Sequence, residues 1–137
     1  MLKGLFRMLN NKGQSLVLFV VVLPILLLIV ILVIDVGRLI VCKQELDNIN
    51  NIALDYGLDN IDVDNLENEL RNIILLNKAD IDEVNIFVVD NKIYIELNDK
   101  IEGLFTGLIN VSIFDINSSY VGYIEVDKKK IEKVVGD

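Results

Sequence analysis

The sequence contains no histidine and no tryptophan, and it has only one cysteine, Cys42, and one proline, Pro24. A single cysteine cannot form a disulfide within the chain, and a chain without histidine cannot build a Cys/His metal site. Cys42 lies on an apolar helical stripe described below. We therefore interpret it as a small packing residue, with a bridge to another chain as the alternative.

The sequence also lacks the patterns that carry chemistry. It has no glycine-rich phosphate loop and no nucleophile–base pair. Acidic pairs occur at Asp62/Asp64 and Asp80/Asp82, but they lack the spacing of a twelve-residue EF-hand loop. We therefore predict no cofactor, no metal site and no enzymatic activity.

Charge is divided unevenly along the chain, which carries 21 acidic and 13 basic residues. Lys3, Arg7 and Lys12 precede the first acidic residue, Asp35, and all 21 acidic residues follow from there. A strongly acidic C-terminal part argues against nucleic acid as a partner. We interpret its charge as a solvated surface.

An apolar run of 19 residues extends from Leu16 to Ile34 without a charged side chain. As a helix it would span about 28 Å, close to the hydrocarbon thickness of a bilayer. Its insertion is favourable by about 9 kcal/mol, of which the proline returns about 3 kcal/mol. The run exceeds the core of a secretory signal, and no small-x-small cleavage site follows it. We predict one membrane crossing, with a bend or local loosening at Pro24.

The basic residues before the apolar run orient the crossing, because cytoplasmic flanks of membrane helices are enriched in Lys and Arg. The sequence thus predicts a cytoplasmic N-terminus and an extracytoplasmic C-terminal head. The predicted divisions are a basic leader at 1–13, a transmembrane and stalk helix at 14–58, and the head at 59–137.

The predicted helix continues beyond the membrane, because apolar residues recur there at spacings of three and four. Gly57 and Asp59-Asn60 are typical helix stop signals. The stripe could contact other subunits or the chain's own head, and the sequence alone does not choose. We call this stripe the packing seam; its members are Leu39, Cys42, Leu46, Ile49, Ala53 and Tyr56.

The head begins with a predicted second helix, from about residue 65 to 77, for which Asp64 is the expected N-cap. The apolar period then changes to two, which predicts strands around Val84–Val88 and Ile93–Leu97 joined by a two-residue turn at Asp90-Asn91. We expect the fold class to be α+β, with a long helix, a short helix and an antiparallel β-meander.

The last part of the head is a glycine-containing loop at 101–109 followed by a third strand from Val111 to Ile124. Its alternation slips between Ile113 and Phe114, which predicts a bulge or bend. The tail from Lys128 is predicted as a short element or a frayed end.

The segments Gly13-Gln-Ser-Leu-Val-Leu-Phe-Val-Val-Val-Leu-Pro24 and Ile34-Asp-Val-Gly-Arg-Leu39 resemble the start of TadE/TadG-like proteins. That family has a Gly-Gln opening, a Leu-Pro pair, a long apolar run and an Asp-x-Gly-Arg exit. The resemblance is strongest over 12–58 and continues loosely to Tyr123 through a Gly-Leu-Phe-like loop beginning at Gly103. The matching residues are Gly13, Gln14, Leu23, Pro24, Asp35, Gly37 and Arg38.

The resemblance implies a bacterial membrane component of the tight-adherence (Flp-type) pilus machinery, either a minor pilin or pseudopilin or a membrane-anchored accessory subunit. It also implies the lipid bilayer and other pilin-like subunits as partners, the latter through the long helix. The alternative from a different class is a stand-alone bitopic envelope protein whose ectodomain binds a partner or ligand.

One departure from the family concerns processing. Gly13 and Gln14 mark a candidate cleavage point, which would make a prepilin peptidase a partner. Pseudopilins of this system carry Glu at the fifth residue after that glycine, and here the position is Leu18. Cleavage after Gly13 would create a new N-terminal amine. In a core of packed pilin-like helices, that charged amine would have no carboxylate at position 18 to pair with. We therefore expect the uncut form.

Overall fold

The computed structural model describes residues 11–105 and 113–135. These residues form two helices and one sheet, in which the four strands lie in sequence order and every neighbouring pair is antiparallel. The α+β class and the predicted element order are confirmed. The elements are α1 (Asn11–Asp59), α2 (Leu66–Asn77), β1 (Glu83–Val89), β2 (Lys92–Ile101), β3 (Phe114–Glu125) and β4 (Lys128–Lys133).

Helix α1 contains 49 residues and is about 73 Å long. It begins three residues before the predicted start and ends one residue after the predicted end. Pro24 lies inside it, and the helix is continuous through that position. The apolar run is exposed along most of its length, and its length and mean hydropathy of 3.7 are sufficient for a bilayer crossing.

The second half of α1 lies against the inner face of the sheet. Its side chains supply much of the hydrophobic core, so this stretch packs on the chain's own head rather than standing free. Strand β3 runs alongside α1 from the apolar run outwards, because Asn50 contacts Ser118 and the later residues Leu54 and Leu58 lie beside Gly122. The buried apolar residues of this stretch are Leu46, Ile49, Ala53, Leu54 and Leu58.

Gly57 allows α1 to approach its neighbours closely. A Cβ at this position would lie 2.7 Å from Cδ1 of Ile93 on β2 and 3.1 Å from Cδ2 of Leu70 on α2. A larger side chain here would force the Ile93 and Leu70 side chains to shift within the core. Gly57 was predicted to help stop the helix, but the helix continues to Asp59 and the glycine lies at a contact between elements.

The start of α2 differs from the prediction. Asp64 is not the N-cap, because the helix begins at Leu66 and the cap position is occupied by Asn65 with a φ of 62°. The Asn65 side chain makes no cap hydrogen bond; its carbonyl oxygen instead accepts from the N–H groups of Asn68 and Glu69. The helix therefore starts after the positive-φ turn at Asn65, and the predicted carboxylate cap at Asp64 is not used.

Two tight turns connect the outer strand pairs. The predicted turn at Asp90-Asn91 is confirmed, with φ values of 51° and 62° and with Val89 paired to Lys92. A second such turn at Val126-Asp127, with φ values of 51° and 58°, joins β3 to β4. It escaped prediction because a β-branched residue rarely adopts a positive φ. The tail from Lys128 is accordingly a paired edge strand.

The third strand begins later than predicted. Residues 111 and 112 lie outside the described residues, and β3 starts at Phe114, paired with Ile101. From there the register is continuous to the pair Gly122–Ile93. The bulge predicted between Ile113 and Phe114 therefore coincides with the start of the strand and does not interrupt it.

Candidate functional site: the junction of the apolar helix and the head

Asp35 is the first charged residue after the apolar run, and its side chain points towards the head. It is only 4% exposed. One carboxylate oxygen accepts a hydrogen bond from the N–H of Leu104 at 2.7 Å, and the other accepts from the N–H of Phe105, also at 2.7 Å. Both donors belong to the connection between β2 and β3. Asp35 thus joins the end of the apolar run to the near end of the sheet.

These two hydrogen bonds explain how a carboxylate can be buried there. A buried carboxylate without partners costs several kcal/mol, whereas one that accepts short charge-assisted bonds at both oxygens is compensated. Asp35 therefore pairs two backbone N–H groups at the start of the β2–β3 connection from a different element of the fold.

Among the described residues, no hydrogen bond or ion pair links Gly37 or Arg38 to the head. A Cβ at Gly37 would meet nothing within 4 Å, so packing within the chain does not require a glycine there. Arg38 is exposed, and within residues 11–105 and 113–135 it makes no ion pair. Of the predicted exit residues Asp35, Gly37 and Arg38, Asp35 is the one that hydrogen-bonds to the described part of the head. Pro24 lies in the exposed apolar run, and Gly13 and Gln14 lie in the first turns of α1.

The packing seam is distributed unevenly between core and surface. Leu46, Ile49 and Ala53 are buried, and Leu39 and Cys42 are half-buried against the same core. Tyr56 differs, because it is 38% exposed and lies at the rim. Its hydroxyl donates to Oε2 of Glu69 at 3.0 Å, and this hydrogen bond and the carboxylate charge raise the pKa of Tyr56.

Asn50 is a buried polar residue of α1 that the sequence analysis did not identify. Its Nδ2 donates to the carbonyl oxygens of Ile95 and Ser118, each at 3.0 Å, and lies 3.2 Å from the Ser118 hydroxyl. Asn50 thereby attaches the helix to β2 and β3 at the centre of the sheet. The spacing could have identified Asn50 as buried. It follows Leu46 by four residues and precedes Ala53 by three, which places it on the same face of the helix as the packing seam.

A second polar link lies at the end of α2. Lys78 Nζ is 3.0 Å from Oδ2 of the buried Asp99 on β2 and 3.8 Å from Oε2 of Glu45 on α1. Burial alone would lower the pKa of Lys78, but the hydrogen bond to Asp99 and the charges of Asp99, Glu45 and Asp80 raise it overall. This lysine therefore joins three elements of the head.

The far end of α1 is tied to the edge strand. Lys129 Nζ lies 3.0 Å from Oδ1 of Asp55 and 2.6 Å from Oδ1 of Asp59, in the last turns of the helix. The hydrogen bond to Asp59, followed by that to Asp55, raises the pKa of Lys129. Hence α1 is fixed to the head at both ends of their contact, by Asp35 near the apolar run and by Lys129 at the far end.

The described residues contain no group of three or more His, Cys, Asp and Glu side chains arranged to hold a metal ion. The outer face of the sheet has a shallow concavity of about 330 Å³ between Phe87, Tyr94 and Val134. Its walls are mainly apolar, and Glu96 is the one acidic side chain among its lining residues.

Residues 13–49 match the family model of TadE-like protein. This segment is TadE-like. The matched range contains the apolar run, the Asp35–Arg38 exit and the first part of the packing seam, and it ends before the sheet begins. No curated protein and no solved structure gave a match to the chain.

The family resemblance drawn from the motif residues is thus confirmed over the segment that carries them. A TadE-like segment implies involvement in the tight-adherence pilus system. The single long apolar helix in the described part of the chain suggests membrane anchoring.

Proposed function

We propose that this chain is a membrane-anchored subunit of a tight-adherence (Flp-type) pilus assembly, either a minor pilin or pseudopilin or an accessory protein. One observation carries the proposal: the TadE-like segment coincides with the part of α1 that runs from the apolar end to the head. Within that segment Asp35 fixes the head to the end of the apolar run.

The shape of the molecule supports this role. The first half of α1 extends away from the sheet with its apolar side chains exposed, and the second half forms the spine of the head. In such a subunit the bilayer covers the apolar run before assembly, and helices of neighbouring subunits cover it in a fibre or platform. The proposed orientation places the N-terminus in the bacterial cytoplasm and the head outside.

The exposed face of α1 beyond the apolar run supplies the proposed subunit contact. Ile40, Val41 and Ile52 are 53%, 63% and 52% exposed, on the side of the helix away from the sheet. Gly37 lies just before them, where a neighbouring backbone could approach without meeting a Cβ. Close approach at small residues is a common way for membrane helices to associate.

The test is photo-crosslinking in membranes of the native host. A photoreactive residue at Ile40 or Ile52 should form adducts with other pilus components, and removing the chain should abolish surface pili. The control position is Val126, which is 88% exposed at the far end of the sheet. Intact pili without the chain, together with no pilus protein among the adducts, would favour the stand-alone envelope protein instead.

A further inference from the structure

The start of the connection between β2 and β3, at Leu104 and Phe105, lies where α1 leaves its apolar run. The run ends at Ile34, and the next residue, Asp35, binds the N–H groups of Leu104 and Phe105 at 2.7 Å. These hydrogen bonds hold the start of the connection within reach of the Asp35 side chain, beside the end of the apolar run. If the apolar run spans the bilayer, the start of this connection lies at the membrane surface.

The side chains at this point are apolar. Leu104 is 53% exposed and Phe105 is half-buried. Ile113, just before β3, is 49% exposed. An exposed leucine on a soluble surface needs no explanation. Apolar side chains held at the hydrocarbon boundary, however, gain the free energy of burial as soon as they enter the interface.

We propose that Leu104 and Phe105 form a second membrane contact, inserting at the headgroup–acyl boundary of the leaflet from which α1 emerges. This inference rests on the proposed membrane anchoring and adds a contact that the anchor itself does not require. The occupant of this apolar surface is lipid, because the surface is continuous with the apolar run of α1. The contact would hold the head against the membrane instead of leaving it free to tilt about the helix.

Asp35 is the positioning residue of this contact. Each of its oxygens accepts a bond from the connection, so the carboxylate at the boundary is partly compensated for the loss of water. Its removal would release the connection from the end of the apolar run while leaving the span itself unchanged. The acidic head and the exposed Glu102 in the same connection offer no attraction for anionic lipid, so zwitterionic lipid should suffice.

The chain has no tryptophan, so single-tryptophan variants report their own position without background. The full chain is reconstituted in phosphatidylcholine vesicles whose acyl chains carry bromine at a shallow or a deep position. Leu104→Trp is the test variant. Leu26→Trp, in the middle of the apolar run, reports the span. Val126→Trp, about 40 Å along β3 from the junction, reports the aqueous end of the head.

The proposal predicts that Leu104→Trp emits at shorter wavelength than Val126→Trp and is quenched most by shallow bromines. Leu26→Trp should be quenched most by deep bromines, and Val126→Trp by neither. Replacing a third of the phosphatidylcholine with phosphatidylglycerol should leave the Leu104→Trp signal unchanged. Adding Asp35→Ala should lower quenching at position 104 several-fold towards the Val126→Trp level, with no change at position 26.

The failures are distinguishable. Quenching at position 26 without quenching at position 104 overturns the second contact and leaves the anchor standing. Absence of quenching at position 26 overturns the anchor itself. A blue-shifted but unquenched Leu104→Trp would show that the side chain is covered by protein, either its own head or a second copy of the chain, and would contradict the proposal. Unchanged quenching at position 104 in the Asp35→Ala variant would remove Asp35 from the positioning role.

Discussion

Asp35 and Leu104 are joined by a 2.7 Å hydrogen bond although 69 residues separate them in the chain. The bond connects the first residue after the apolar run to the connection that follows β2. It explains how the carboxylate at the end of the apolar run is buried, since it accepts two hydrogen bonds from the head. It also gives the Asp of the TadE-like segment a structural role that the matched residues alone do not reveal.

Replacing Asp35 should therefore destabilise the head. Asp35→Ala removes two charge-assisted hydrogen bonds, and we expect a loss of about 3 kcal/mol in the free energy of unfolding. Asp35→Asn keeps one acceptor oxygen and should lose less. Denaturant unfolding in detergent micelles, followed by the circular dichroism of the sheet, measures the difference. The exposed Asp115→Asn is the control, and equal stability of all three variants would contradict the role given to Asp35.

The buried amide of Asn50 provides a second test. Asn50→Ala removes its bonds to the carbonyl oxygens of Ile95 and Ser118 and leaves a cavity. We expect a destabilisation of about 2–3 kcal/mol. Asn48→Ala, on the exposed side of the same helix turn, should stay within about 0.5 kcal/mol of the parent protein. If the two asparagines responded alike, the helix would not be attached to the sheet through Asn50.

Two glycines of α1 should respond with opposite signs to the same substitution. Gly37→Ala meets no neighbour and should stabilise the isolated protein by about 0.5–1 kcal/mol through helix propensity. Gly57→Ala brings a methyl group to 2.7 Å from Cδ1 of the buried Ile93. This clash should cost about 1–3 kcal/mol. Because the cost exceeds the gain in helix propensity, we expect a net destabilisation. Thermal unfolding of both variants gives the comparison. Stabilisation by Gly57→Ala would show that the helix–sheet contact is looser than described.

Much of the fold could be predicted from the sequence because strong local signals agreed with the tertiary structure. The uncharged run before Asp35 predicted the long helix. The change of the apolar period to two after residue 80 predicted the first two strands. The Asp90-Asn91 turn has residues that favour a positive φ. Val126-Asp127 adopts the same geometry without that signal, so β4 was left undefined.

The candidate site was predicted only in part, because its partners are distant in sequence. Asp35 was recognised through its place in a motif, but no periodicity indicates that its carboxylate meets the N–H groups of Leu104 and Phe105. Asn50 is not indicated by the seam, because the seam is a pattern of apolar residues and Asn50 is a polar residue on the same helix face. Tyr56 was included in the seam on spacing alone, although its hydroxyl keeps it at the rim.

Processing at Gly13 is a separate prediction. Because Leu18 cannot pair a new N-terminal amine inside a helical core, we expect the protein isolated from membranes to retain the residues before Gln14. Gly13→Ala should then leave its mass otherwise unchanged. Intact-protein mass spectrometry decides the matter. A terminus at Gln14 would contradict the uncut form and would favour the minor pilin over the accessory protein.

The most direct test of the account is the position of the head relative to the membrane. In a Cys42→Ser background, Val126→Cys places the only thiol at a side chain that is 88% exposed at the far end of the sheet. Intact spheroplasts are treated with a membrane-impermeant maleimide, and lysed cells serve as the control. The account predicts full labelling of the membrane-bound protein before lysis. Labelling only after lysis, or recovery of the protein outside the membrane fraction, would contradict it.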